Sequence, residues 1–296
     1  MSGIQINRSA IALPTEVSSE IIQKTQEGSA VMQLAREIDL PGAGLTIPVI
    51  LSDPEAEWVT ETGKKPVSNA ELDTKIMRGY KLAVIEPFSN EFKRDYTALY
   101  NALVNRLPKA LGMKFDKTVF GGVQAPGSDF DTFASVTARS IAPGTGTTDS
   151  YDALVEADTD IAIHGGIMNG IAISPQGKGI LLGERDNNGR PLYVNSPAEG
   201  NVPIVFGTKT YLTKGAFISG LPAKVGFAGD WTQAVYGIVD NVDLSVSDQA
   251  TLELPDGSIL NLWQHNMFAV RAEIEIGFRA DTSVFNALTA ASVPSI

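Results

Sequence analysis

Few side chains in this sequence could do covalent or metal chemistry, and their spacing argues against most of it. There is no cysteine, which excludes disulfides, thiolate metal sites and thiol nucleophiles. Two histidines, His164 and His265, are too few for most imidazole-based metal centres. The last turn of a helix accounts for His164, and entry into a strand for His265. Asp149, Asp152, Glu156, Asp158 and Asp160 form an acidic face on a predicted helix. Such a face could hold a hard cation; more often it is a solvated surface whose charge favours the helix start. Asp240, Asp243 and Asp248 lack the glycine and terminal glutamate of a calcium loop. Gly121-Gly122 and Gly165-Gly166 show neither a dinucleotide spacing nor a Gly-Lys-Ser/Thr ending, so they read as helix terminators. Lys64-Lys65 is a basic pair at a predicted tip, where it serves solubility or contacts a neighbouring subunit. No catalytic residue, cofactor or metal is expected, and nothing in the spacing supports a carboxylate-pair hydrolase.

The elements around these residues are more informative. In 296 residues, 43% are hydrophobic and 19% charged, with a net charge of −11. A surface of that sign repels phosphate backbones, so a protein beside DNA would contain it rather than grip it. No apolar run reaches the length of a membrane span. The start, MSGIQINRSAIALP, lacks the basic and apolar blocks of a signal peptide, so a soluble protein made in a cytoplasm is expected. Residues 1–13 read as an arm that orders on a neighbour. Thr15 caps a predicted helix carrying Val17, Ile21, Ile22 and Thr25; Gly28 interrupts, and a second helix runs from Ala30 to Glu37. Leu45–Leu51 is a strand placed at an edge by Pro48. Trp58–Glu61 and Leu72–Ile85, joined by a turn at Thr62–Asn69, predict a long polar two-stranded arm that needs outside support.

The segment from Tyr80 to Gly122 predicts a strand (Lys81–Ile85), a polar break at Pro87, Ser89 and Asn90, and a long amphipathic helix capped by Ser89 or Asn90. Phe92, Tyr96, Leu99, Leu103, Leu107, Leu111 and Phe115 recur at spacings of three and four. Pro108 is expected to kink or split this helix near Asn105. Residues 124–149 read as loop. A helix from Tyr151 to about His164 follows, then a buried strand at Ile171–Ile173, a helix opened by Ser174-Pro175, and a turn at Asp186–Gly189. Strands are then expected at 204–206, 234–239, 242–246, 251–254 and 267–278, the last with one face buried.

The order of these parts resembles a known family. Ile47-Pro48-Val49, Trp58 with Glu61, and the polar arm come first. Ala83-Val84-Ile85 leads through Pro87 and Ser89 into a helix closing with FDKTVFGG. NGIAISPQGKGILLGERDNNGRPLY (Asn169 to Tyr193), Phe206-Gly207, Gly229-Asp230-Trp231 and WQHNMFAVRAEIEIGFRADTSVFNALT (Trp263 to Thr289) complete the series. It resembles the major capsid proteins of tailed bacteriophages with the Hong Kong ninety-seven fold. The resemblance implies an α+β fold. Residues 1–36 would be the N-terminal arm and short helices, and 37–86 an edge strand and extended loop. The spine helix of a peripheral domain would span 87–122, an axial domain 123–235, and return strands of the peripheral domain 236–296. It also implies self-assembly as pentamers and hexamers into an icosahedral shell around double-stranded DNA, without sequence-specific binding. Portal, scaffolding and decoration proteins would be partners, and the chain would reside in the virion after assembly in a bacterial cytoplasm. The arm follows Met1 directly, so a separate scaffolding protein, or none, is expected. Trp58, Glu61, Lys64 and Lys65 would contact neighbouring subunits. An encapsulin-like nanocompartment shell holding a cargo enzyme is the alternative.

Some members of that family cross-link a loop lysine to an asparagine, with a glutamate as proton acceptor. The reaction needs a neutral, desolvated amine beside the amide. Asn266 and Glu273 match the asparagine and glutamate. Thr74 occupies the lysine position and Lys75 lies one residue on, which on a strand points to the other face. A non-covalent shell is therefore expected.

Overall fold

The structure, a computed structural model, describes residues 23–50, 58–59, 72–91, 96–141, 150–184, 190 and 207–290. In chain order its elements are α1 (Ala30–Leu34), β1 (Arg36–Asp39), β2 (Leu45–Ile50), β3 (Leu72–Met77), β4 (Tyr80–Ser89), α2 (Tyr96–Val119), β5 (Thr137–Ser140), α3 (Ser150–Ile163), β6 (Gly170–Ile173), α4 (Pro175–Gly183), β7 (Lys209–Leu212), β8 (Ala223–Gly229), β9 (Ala234–Ser247), β10 (Thr251–Glu253), β11 (Ile259–Asn261), β12 (Met267–Ala280) and β13 (Phe285–Ala290).

Two sheets carry the core. The first is ordered β1-β9-β12-β4. Its centre is β12, whose alternate residues Phe268, Val270, Ala272, Ile274, Ile276 and Phe278 are all buried, because a period of two puts them on one face. Leu107 and Leu111 of α2 close over that face, each adding about 2–3 kcal/mol by burial. The second sheet is ordered β5-β13-β8-β6-β7. Phe133 joins the two layers, stacking on Phe285 of β13 at 4.3 Å and meeting Phe278 of β12 edge-on at 5.8 Å, while Phe120 stacks on Phe227 of β8 at 4.6 Å. The spine helix α2 stops at this junction. Gly121 (φ 83°) lets its own N–H reach Thr118 O at 3.0 Å and that of Gly122 reach Lys117 O at 2.8 Å, a Schellman closure. A Cβ there would lie 2.6 Å from Ala134 Cα.

Local signals match the structure where sequence carries them in full. Ser174 Oγ accepts from Gly177 N at 3.1 Å and starts α4 with Pro175 in its first turn. Ser150–Ile163 forms the acidic helix α3, and β6 is wholly buried.

Several expectations are corrected. The helix from Ala30 ends at Leu34, and Arg36–Asp39 becomes β1, parallel to β9. Packing of Ile38 and Leu40 against Met77 and Val235 outweighs helix propensity there. The return strand at 72–85 is two strands. β3 pairs with β2, Leu45 opposite Met77, and the chain crosses at Arg78-Gly79 into β4 of another sheet. A Cβ on Gly79 would lie 2.5 Å from Val239 Cγ2 and 2.7 Å from Glu275 Cγ, so only glycine allows that crossing. Trp58-Val59 is not strand, and Thr60–Asn69 lies outside the described residues.

β4 runs through Pro87 to Ser89, which an edge strand tolerates. Ser89 Oγ accepts from Glu91 N at 3.3 Å, and Asn90 turns to Asn266; Phe92 is outside the described residues. Pro108 does not split α2, which runs unbroken from Tyr96 to Val119. The strands expected at 234–239 and 242–246 form one strand, β9, with register shifts where it faces Glu273–Ile276. The 124–149 segment contains β5. β13 joins the second sheet between β5 and β8. The expected turn at 186–189 and strand at 204–206 lie outside the described residues.

Candidate functional site

Asp116, near the end of α2, is the most deeply buried ionisable group among the described residues, with no exposed surface. Ser29 Oγ donates to it at 2.5 Å, Thr213 Oγ1 at 2.7 Å, Ala30 N at 3.1 Å and Val31 N at 3.3 Å. Ser29 also caps α1 by accepting from Met32 N at 3.2 Å. One carboxylate thus ties the N-terminal segment, the spine and the turn at Lys214–Ala216. Burial dominates its proton affinity and pushes its pKa up to about 6, against the hydrogen bonds that favour the charged form.

A second junction lies at the base of β3. Arg279 is buried and forks onto Asp131 at 2.9 Å and Asp129 at 3.1 Å, while its Nε donates to Ile76 O at 2.8 Å. Lys75 Nζ donates to Ala280 O at 3.1 Å and lies 3.6 Å from Asp131. Arg78 is 3.4 Å from Asp129. Charge-assisted guanidinium–carboxylate bonds of this kind are strong and directional. Sequence reading missed both junctions: Arg279 and Asp131 are 148 residues apart, and no local pattern links them.

The residues singled out for cross-linking are strung along β12. Asn266 lies just before its start, with φ 52°, and accepts from Asn90 Nδ2 at 2.8 Å. Glu273 lies midway, 3.0 Å from Lys81 Nζ and 3.8 Å from Arg271. The Lys81 hydrogen bond holds its carboxyl below the usual range. Lys75 meets the far end at Ala280. Seven residues of strand separate successive members, roughly 24 Å, so they do not converge within one chain. Of the expected subunit contacts, Trp58 is fully exposed, and Glu61, Lys64 and Lys65 lie outside the described residues.

His164 Nδ1 donates to Asp160 O at 2.8 Å within its helix end, and His265 N donates to Asn261 O in the turn before β12. On the acidic face, Asp160 and Glu156 each lie 3.6 Å from Arg139 of β5. Among the described residues no three His, Cys, Asp or Glu side chains cluster as a metal site, and no helix is long and apolar enough to cross a membrane. A cleft of about 190 Å³ between α2 and β4 is lined by Tyr80, Leu82, Phe115, Phe130 and two lysines, Lys81 and Lys114; it holds no nucleophile–base pair.

Comparison with known proteins assigns the family. A family model described as the phage capsid family matches residues 10–283. Over 299 residues the chain is 30% identical to the probable major capsid protein gp17 of Mycobacterium phage L5, covering 94% of this chain and 89% of that one. The corresponding protein of Mycobacterium phage D29 is 29% identical over 293 residues with the same coverage. A solved structure from Mycobacterium phage Bobi aligns with a TM-score of 0.70 at 22% identity, covering 90% of this chain and 91% of that chain. The mixed helix and strand architecture is therefore that of phage capsid proteins, the Hong Kong ninety-seven-like fold expected from the order of the parts. With this match spanning nearly the whole sequence, the chain belongs to the phage capsid family and is a major capsid protein that forms the shell.

Proposed function

We propose that this chain builds an icosahedral shell as pentamers and hexamers around double-stranded DNA, acting as a container without turnover. The observation that carries this reading is the match over residues 10–283 on a fold whose buried polar groups join elements instead of facing a substrate. The net charge of −11 suits a wall that must not adhere to its contents. Portal, scaffolding or decoration proteins would act on the assembled shell, and the chain would assemble in a bacterial cytoplasm before residing in the virion. Trp58 and the Glu61, Lys64 and Lys65 segment would contact a neighbouring copy. The shell is non-covalent: Lys75 is committed to Ala280 O and Asp131 of its own chain. The cargo-compartment reading is not favoured, because the relatives are phage capsid proteins. Electron microscopy of the purified chain should reveal uniform closed shells. A monomer that persists at high concentration under every assembly condition would rule the proposal out.

A further inference from the structure

The second sheet has two unlike edges. Among the described residues β5 and β7 are its outermost strands, with β13, β8 and β6 between them, so they stand roughly 19 Å apart. On the β5 side, α3 is held through Arg139 and turns an apolar stripe outward: Tyr151, Val155 and Ile163 are 48%, 41% and 75% exposed, and Ile167 beyond the helix is 75% exposed. Asp152, Glu156 and Asp158 are exposed around that stripe, and α3 contains no Lys or Arg. The β7 edge is the reverse. Leu212 is 42% exposed and sits between exposed Lys209 and Lys214. From Gly207 to Gly229 there is no Asp or Glu.

An acid-rimmed apolar face and a lysine-rimmed apolar edge are complementary, and both stay exposed, so they do not cover each other within one copy. Two copies related by a two-fold axis through α3 would oppose carboxylates, which is disfavoured. A head-to-tail arrangement satisfies every copy, and such contacts close into rings when the rotation allows. We infer that the α3 face of one copy docks on the β7 edge of the next, with Val155 and Ile163 packing near Leu212 and the Asp152 and Asp158 rim facing Lys209 and Lys214. This rests on the shell reading above and specifies which surfaces form its rings. Apolar burial supplies the affinity, and the rim charges set register and encounter rate.

A charge swap tests it. Asp152→Lys with Asp158→Lys on one face, or Lys209→Glu with Lys214→Glu on the other, should raise the concentration needed for assembly at low salt by about tenfold or more. Light scattering and sedimentation velocity read this. The melting temperature of the unassembled chain should stay within about 3 °C of the parent's, since all four side chains are exposed. The four-substitution chain, with both charges reversed, should assemble within about threefold of the parent. Because the chain has no cysteine, Val155→Cys with Leu212→Cys, treated with a short bis-maleimide, should link copies in series; either single variant should stop at dimers. The inference fails if the one-sided variants assemble like the parent, or if the combined chain assembles no better than they do. It also fails if the paired cysteines yield nothing beyond dimers in assembled material. All three results leave the shell reading standing, whereas a parent chain that forms no particles overturns both.

Discussion

Asp116 sits where four donors converge and water does not, and the two facts pull its proton in opposite directions. Burial wins, with a pKa of about 6 against an ordinary 3.8. Below 3.8 both folded and unfolded chains hold the proton. From there to about 6 the folded chain keeps a proton that the unfolded chain has released, so stability falls as pH rises. Near neutrality the full cost, about 3 kcal/mol, is present. Asp116→Asn carries no charge and should flatten this part of the profile. Urea midpoints of parent and variant between about pH 4.5 and 7.5 would read it, and equal slopes would place the proton elsewhere. Asp116→Ala strands two hydroxyls and two backbone N–H groups, and should cost about 2–4 kcal/mol even at mildly acid pH. None of this was visible in the sequence, where Asp116 is one polar residue in an amphipathic helix, 87 residues from Ser29.

Among the elements, the ribbon of β2 and β3 pairs with neither main sheet, and the Arg279 junction fixes its base. Arg279→Ala would leave Asp129 and Asp131 to the longer contacts of Arg78 and Lys75 and free the Ile76 carbonyl, a loss of about 2–4 kcal/mol. Limited proteolysis with mass spectrometry should then find faster cleavage near residues 72–78, and Arg279→Lys should rescue it poorly because ammonium lacks the planar fork. Unchanged cleavage would show that strand pairing alone holds the ribbon. What sequence made legible follows from how local its signal is. The α4 cap, the α3 face and the alternation of β12 are written in consecutive residues. The break at Gly79 was hidden because a period-two pattern continues across it while the chain changes sheets. β5, β7, β8 and β13 were missed or read loosely, since they are short, some rich in glycine and alanine, and find their partners far along the chain. The cross-link residues could be aligned on a family pattern, but that pattern could not reveal that Lys75 already serves Ala280 O.

For the whole molecule, the non-covalent shell proposed above would draw its stability from many weak contacts between copies. Mature particles boiled in detergent should therefore run as a single band near 31.5 kDa; a ladder of larger species would mean that a lysine does reach Asn266 in a neighbour. The route of the chain adds one more constraint. β13 lies between β5 and β8, so the middle of the second sheet is occupied by residues made well after both of those strands. β5 finds its strand partner only across some 150 residues, a late and costly closure. The layer that supports α3 is therefore unfinished until Phe285–Ala290 has been made. If α3 docks as inferred above, a subunit made only as far as β8 lacks the strand that completes the layer beneath its docking face, so topology alone would delay association of nascent chains.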